Sequence, residues 1–168
     1  MAAEVERSGA PALFESTASY YSRYRRPYPN ELFDILAERF ELGPSTAVLD
    51  LGCGTGQLAI PLGARGVPVW GVDPDVEMLG EALRQEERMD VHGIRWLRGS
   101  DKELPSLHLP RLRLCTMGSS FHWMDRPEVL RVLDGFIDAG GGVAVVSGTA
   151  SVWREQDKRN KRFYRSRS

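Results

Sequence analysis

In VLDLGCGTGQ (residues 48–57) a strand-forming run passes straight into three glycines at alternate positions, Gly52, Gly54 and Gly56. Glycine at a strand-to-helix turn permits positive φ and lets the backbone lie against a ligand with no Cβ between them. The run that precedes the turn, 46–51, reads as a buried strand. QLAIPLGARG, which follows, reads as a helix whose early Pro61 falls where the missing N–H costs little.

The same alternation recurs along the chain. Strands are expected at 67–73, 94–99, 112–117 and 142–148, with helices at 75–87, capped by Asp75, and at 127–137. Ahead of the glycine stretch, 30–40 places Leu32, Ile35, Leu36 and Phe40 on one helical face, capped by Asn30 and stopped by Gly43-Pro44. Residues 12–25, with Tyr20, Tyr21 and Tyr24, are expected to form a further helix. The strands are continuous apolar runs and not alternating ones, which argues for a sheet buried on both faces. The expected fold class is α/β: a Rossmann-like, doubly wound, mainly parallel sheet of order 3-2-1-4-5 with helices on both faces. Residues 1–45 then form an N-terminal helical cap, 46–150 the core, and 151–168 a basic, disordered tail.

Composition excludes several classes. Apolar residues make up 42% and charged residues 27% of the 168, and no apolar run approaches the roughly 20 residues of a membrane span. The start, MAAEVERSGAP, does not read as a signal peptide. Cys53 and Cys115 have neither metal-site nor disulfide spacing, so a cytoplasmic location and no metal are expected. The net charge of −1 hides a tail, 154–168, with seven Arg/Lys against two acids.

Which ligand the turn takes follows from what it lacks. A dinucleotide fingerprint needs glycine at the position of Gln57, and a phosphate P-loop needs Gly-Lys-Ser/Thr. Asp50, two residues before Gly52, would repel a pyrophosphate and suits a ligand bearing an ammonium group. Asp73 ends the second strand, 21 residues after Gly52, where a carboxylate can accept both hydroxyls of a ribose. It can equally cap the helix that starts at Pro74. The turn therefore expects a nucleoside that carries positive charge.

With GVDPDVEML following it, this turn resembles the first two motifs of the class I S-adenosylmethionine-dependent methyltransferases. YSRYRRPYP (21–29) and SFHWMD (120–125) are similar to stretches of their small-molecule members. The resemblance implies S-adenosylmethionine as cofactor. Asp50 would face its methionine ammonium, with Gly52, Cys53, Gly54 and Gly56 along it. Asp73 and Pro74 would stand at the ribose, and Val72 and Met78 would flank the adenine. Ser100 occupies the usual position of an acid that accepts from the adenine amino group, with Asp101 displaced by one. Tyr21 and Arg26 would belong to a lid, and Cys53 is a small filler and not a nucleophile.

The implied reaction is methyl transfer to a small-molecule O, N or C acceptor. His122 is the candidate base, since its reference pKa of about 6.5 suits proton transfer. The usual Asp near the start of strand four is Arg113 here, which speaks against a metal-assisted reaction. Family members normally continue past strand five with a helix and two further strands, which the twenty residues after Gly148 cannot supply. That leaves strand five as a free edge inviting self-association, with activity weakened until a complementing segment is supplied. A shortened binding or regulatory module without turnover is the alternative. An RNA methyltransferase using the basic tail is a further one, and binding to membrane is not expected.

Overall fold

A computed structural model describes residues 27–147 and 163–165. The expected helix at 12–25 lies outside the described residues. Chain order is α1 (Asn30–Phe40), β1 (Val48–Leu51), α2 (Ala59–Gly63), β2 (Val69–Asp73), α3 (Val76–Arg88) and β3 (Ile94–Arg98). A 3-10 turn (Asp101–Ser106) leads to β4 (Leu112–Gly118), and a second (Phe121–Trp123) to α4 (Arg126–Phe136), β5 (Ile137–Val146) and β6 (Phe163–Arg165). The sheet runs β3-β2-β1-β4-β5-β6, and its first five strands are mutually parallel. This is the expected doubly wound sheet, with its switch point between β1 and β4.

Successive strand residues feed opposite faces. Val48, Val69, Leu114 and Ala144 join one core cluster with Phe33, Leu36, Leu62 and Leu79 from α1–α3. Their neighbours Leu49, Cys115 and Val143 join the other, with Leu104, Val129 and Leu133. A strand buried on both faces has no solvent side, which is why β1 and β4 are mostly apolar, with Asp50 and Thr116 as buried polar exceptions.

Three expectations change. Asn30 does not cap α1: Pro29 occupies the cap position, with φ −66° and ψ 147° and no side-chain bond. Proline's fixed φ suits that position, and it leaves Asn30 one residue too late to cap. The helix stops at Glu41, which turns left-handed (φ 51°), two residues before Gly43. Strand five begins at Ile137, five residues earlier than expected, and its pairing with β4 shifts register between Leu112 and Leu114. Gly141 sits in that irregularity, where an added Cβ would lie 2.6 Å from the Arg113 carbonyl oxygen.

The largest difference is at the sheet edge. The tail was expected to be disordered and unable to pair with strand five, yet β6 runs antiparallel to β5, with Val143 opposite Tyr164 and Ala144 opposite Phe163. The sheet therefore has a sixth strand, and the β5 edge is not free along Gly142–Ala144. The seven cations of the tail dominated its reading and masked the strand propensity of Phe163-Tyr164. An open row of N–H and C=O groups on β5 is a template for such a segment. Residues 148–162 and 166–168 lie outside the described residues.

Candidate functional site

At the carboxyl ends of β1, β2 and β4 lies a cavity of about 430 Å³. β1 delivers Asp50 and Leu51 to it and passes into the glycine turn. That turn is clamped to β2, since the Gly52 and Cys53 N–H groups both donate to the Val72 carbonyl, at 2.8 and 3.0 Å. Asp73 joins it to the next helix: its Oδ2 accepts from the Gly54 N–H (2.8 Å) and its Oδ1 from the Asp75 N–H (2.9 Å). The cap of α3 is Asp75, which accepts from the Glu77 and Met78 N–H groups. Capping is thus taken from Asp73 by its neighbour.

The three glycines answer to different demands. A Cβ on Gly52 would stand 2.6 Å from Ser120 Cβ, so Gly52 admits the loop after β4, whose Ser120 hydroxyl donates to the Leu51 carbonyl at 2.9 Å. A Cβ on Gly56 would meet the Trp96 ring at 2.8 Å and Ile60 at 2.9 Å, and Gly56 is not on the cavity lining. Trp96 also lies over Gly71, and its indole N–H donates to the buried Glu86 carboxylate at 2.8 Å. Gly56 is therefore a packing glycine. Only at Gly54 would a Cβ meet nothing within 4 Å, with φ +53° and the N–H held by Asp73.

Asp50 is 1% exposed, and both its oxygens are engaged: Oδ1 by the Thr116 hydroxyl (2.9 Å) and Oδ2 by the Ala59 N–H (3.2 Å). Burial raises its pKa to about 7, the two hydrogen bonds opposing that rise and the Asp73 charge adding to it. Burial also raises Asp73, against the N–H groups of Asp75 and Gly54. The Cys53 thiol is buried and pushed up by desolvation and then by Asp50, the state of an inert filler and not of a nucleophile. Asp50, Asp73, Asp75 and Asp101 all line the cavity, while among the described residues no Lys, Arg or His does. Such a wall attracts a cation and repels a phosphate.

Of the residues anticipated at the site, Asp50, Gly52, Cys53 and Gly54 line the cavity on the β1 side. Asp73, Pro74, Met78, Ser100 and Asp101 line it beyond β2. Ser100 donates from both its N–H and its hydroxyl to the Glu103 carboxylate. Val72 is buried in the core and absent from the lining. His122 is exposed and outside the lining, its ring 4.7 Å from that of Trp123. Tyr21 and Arg26 lie outside the described residues. Arg113 sits near the amino end of β4, 3.1 Å from Asp138, so its charge does not bear on a metal in the cavity.

The remaining wall was not anticipated. Tyr28, Gln57, Ser119, Ser120, Trp123 and Met124 line it, Trp123 being 83% exposed. Ser119 is left-handed (φ 55°), its N–H donating to the Val146 carbonyl at 2.8 Å. A non-glycine residue held there costs of order 1 kcal/mol, and such strain gathers at ligand sites. The aromatic-His-Trp stretch is the sequence signal for this wall, and its tryptophan, not its histidine, reaches the lining.

Comparison with known proteins gives a consistent answer. Residues 48–139 match the model of the methyltransferase domain family. An uncharacterized methyltransferase of Mycobacterium tuberculosis is 36% identical over 152 residues, covering 87% of this chain and 54% of the relative. A probable S-adenosylmethionine-dependent methyltransferase of Saccharomyces cerevisiae is 26% identical over 133 residues, 78% of this chain and 44% of its own length. The chain thus spans about half the length of the curated relatives it matches. Among solved structures, an S-adenosylmethionine-dependent methyltransferase from Clostridium acetobutylicum superposes with a TM-score of 0.62 at 22% identity, over 76% of this chain and 55% of that one.

Proposed function

The chain belongs to the class I S-adenosylmethionine-dependent methyltransferases, and from that premise we propose that it transfers a methyl group to a neutral or cationic small-molecule O, N or C acceptor. One observation carries this reading: the glycine turn, Asp50 and Asp73 border a single cavity with four carboxylates and, among the described residues, no cationic side chain on its lining. S-adenosylmethionine, when bound, supplies an electrophilic methyl group on a sulfonium, and its amino-acid end carries an ammonium beside a carboxylate. The residues present fit it. Asp50 is the counter-charge for the ammonium, and Asp73, oriented by two backbone N–H groups, accepts from the ribose. Pro74, Met78, Ser100 and Asp101 bound the adenine side, and Gly54 leaves the backbone open to close approach.

The protein's contribution is chiefly position and exclusion of water. Asp50 would hold the amino-acid end of the cofactor and Asp73 its ribose, while Ser119, Ser120, Trp123 and Met124 bound the space an acceptor would enter. His122 can take a proton only from an acceptor reaching the rim, and an acceptor that is already a neutral nucleophile needs no base. The acidic lining also speaks against phosphate-rich substrates, which disfavours the RNA reading, and we place the protein in the cytoplasm. The test is a turnover assay measuring S-adenosylhomocysteine with a panel of phenols, amines and carboxylates. We expect product that depends on a phenol or amine. Turnover confined to RNA or to polycarboxylates would contradict the proposal.

A further inference from the structure

Among the described residues the most exposed large hydrophobic side chain is Trp123, at 83%, and it stands on the cavity wall. The turn that carries it is tied down. The Ser120 hydroxyl donates to the Leu51 carbonyl at 2.9 Å, the Trp123 N–H to the Ser120 carbonyl at 3.0 Å, and Asp125 caps the helix that follows. A 3-10 turn advances a third of a circle per residue, so Phe121 and Trp123 point in different directions. Phe121 packs against the core cluster that holds Val129 and Leu133, with the Arg126 guanidinium 5.7 Å from its ring. Trp123 belongs to neither core cluster and is held out at the cavity mouth. Phe33, Phe40 and Trp70 also have a guanidinium over the ring, whereas among the described residues none lies over Trp123.

Resting on the methyl-transfer reading above, we propose that Trp123 sets acceptor specificity: its indole is a stacking platform, and the substrate class is one built on an aromatic ring. An indole face left open on a fixed turn is a preformed apolar surface. A ring laid on it gains more than its buried area alone, since aromatic pairs attract through offset stacking. Met124 beside it supplies a polarisable thioether that adapts to a ring edge. Ser119, Ser120, Trp123 and Met124 offer no charge to orient an acceptor, so orientation falls to the ring. A ring held flat fixes the direction of the atom that takes the methyl group, which is the positioning that in-line transfer needs. The four carboxylates elsewhere on the lining favour an amine on that ring and oppose a carboxylate.

The experiment is calorimetric titration of wild type, Trp123→Phe and Trp123→Ala, each saturated with S-adenosylhomocysteine, with two probes. Phenethylamine carries an aromatic ring, and 2-cyclohexylethylamine is its saturated counterpart with the same ammonium. Wild type is expected to prefer phenethylamine by about two- to tenfold, the scale of one aromatic pair beyond its buried area. Trp123→Phe should keep a preference, and Trp123→Ala should lose it. S-adenosylhomocysteine affinity should stay at the wild-type value in both variants, which also shows that they are folded. A wild type that binds neither probe or prefers neither overturns the proposal, as does a preference that survives in Trp123→Ala. Loss of S-adenosylhomocysteine affinity in Trp123→Ala would make the indole a cover for the cofactor and overturn it too. A wild type that does not bind S-adenosylhomocysteine overturns the cofactor reading, and this one with it.

Discussion

Asp50 is a buried carboxyl at the glycine turn, beside a second buried acid, Asp73. Its carboxyl is buried, and its pKa is raised from 3.8 to about 7 by desolvation. The sign follows directly. Stability linked to this group is fully present below its unfolded pKa and is lost as pH rises from 3.8 through about 7. The ammonium of S-adenosylhomocysteine pairs with the ionised form, so its affinity should rise with pH, by up to about tenfold per unit, to about 7 and then level off. Asp50→Asn should flatten that profile, which calorimetry between pH 5.5 and 8.5 would detect. A second residue prediction concerns Gly54. Gly54→Ala meets no atom within 4 Å, so the fold should survive with strain of about 1–2 kcal/mol. Its new methyl group should nonetheless weaken the cofactor several-fold, and unchanged affinity would show that the backbone is not approached there. Asp50, Asp73 and the glycines were legible from sequence because a charge beside a glycine turn needs no tertiary context. Gln57 reads in the sequence only as the glycine it replaces, and its place on the cavity wall emerges only once the sheet is formed.

At the scale of elements, the strands around the turn were legible from their apolar residues, and α3 and α4 from the aspartates that cap them, Asp75 and Asp125. Misreadings fell where a neighbour in space decides. Gly56 is set by Trp96, forty residues on, and that pairing requires β3 to lie beside β2. Gly56→Ala should accordingly lower the melting temperature, the combined cost of a clash at 2.8 Å and φ +85°. A melting temperature equal to wild type would remove Trp96 as its cause. The strand β6 went unread because three residues carry too little pattern to stand out from a basic tail. Removing residues 163–168 should uncover the β5 edge along Gly142–Ala144, lower stability and increase association in sedimentation. A shortened chain that stays monomeric and equally stable would contradict that role.

For the whole molecule, the sheet order puts three carboxyl-terminal strand ends at one cavity, and four carboxylates line it: Asp50, Asp73, Asp75 and Asp101. This arrangement separates the fold's ligand from the anionic nucleotides that related doubly wound sheets hold through phosphate. On the proposed reading an acceptor would meet Ser119, Ser120, Trp123 and Met124, a wall without charged side chains. The central claim is that the glycine turn reads a nucleoside bearing an ammonium group and not a phosphate. Calorimetric titration of the protein with S-adenosylhomocysteine, NAD and ATP at pH 8 tests it most directly. S-adenosylhomocysteine should bind at one site while NAD and ATP give no heat of binding; NAD or ATP binding as tightly would contradict the account.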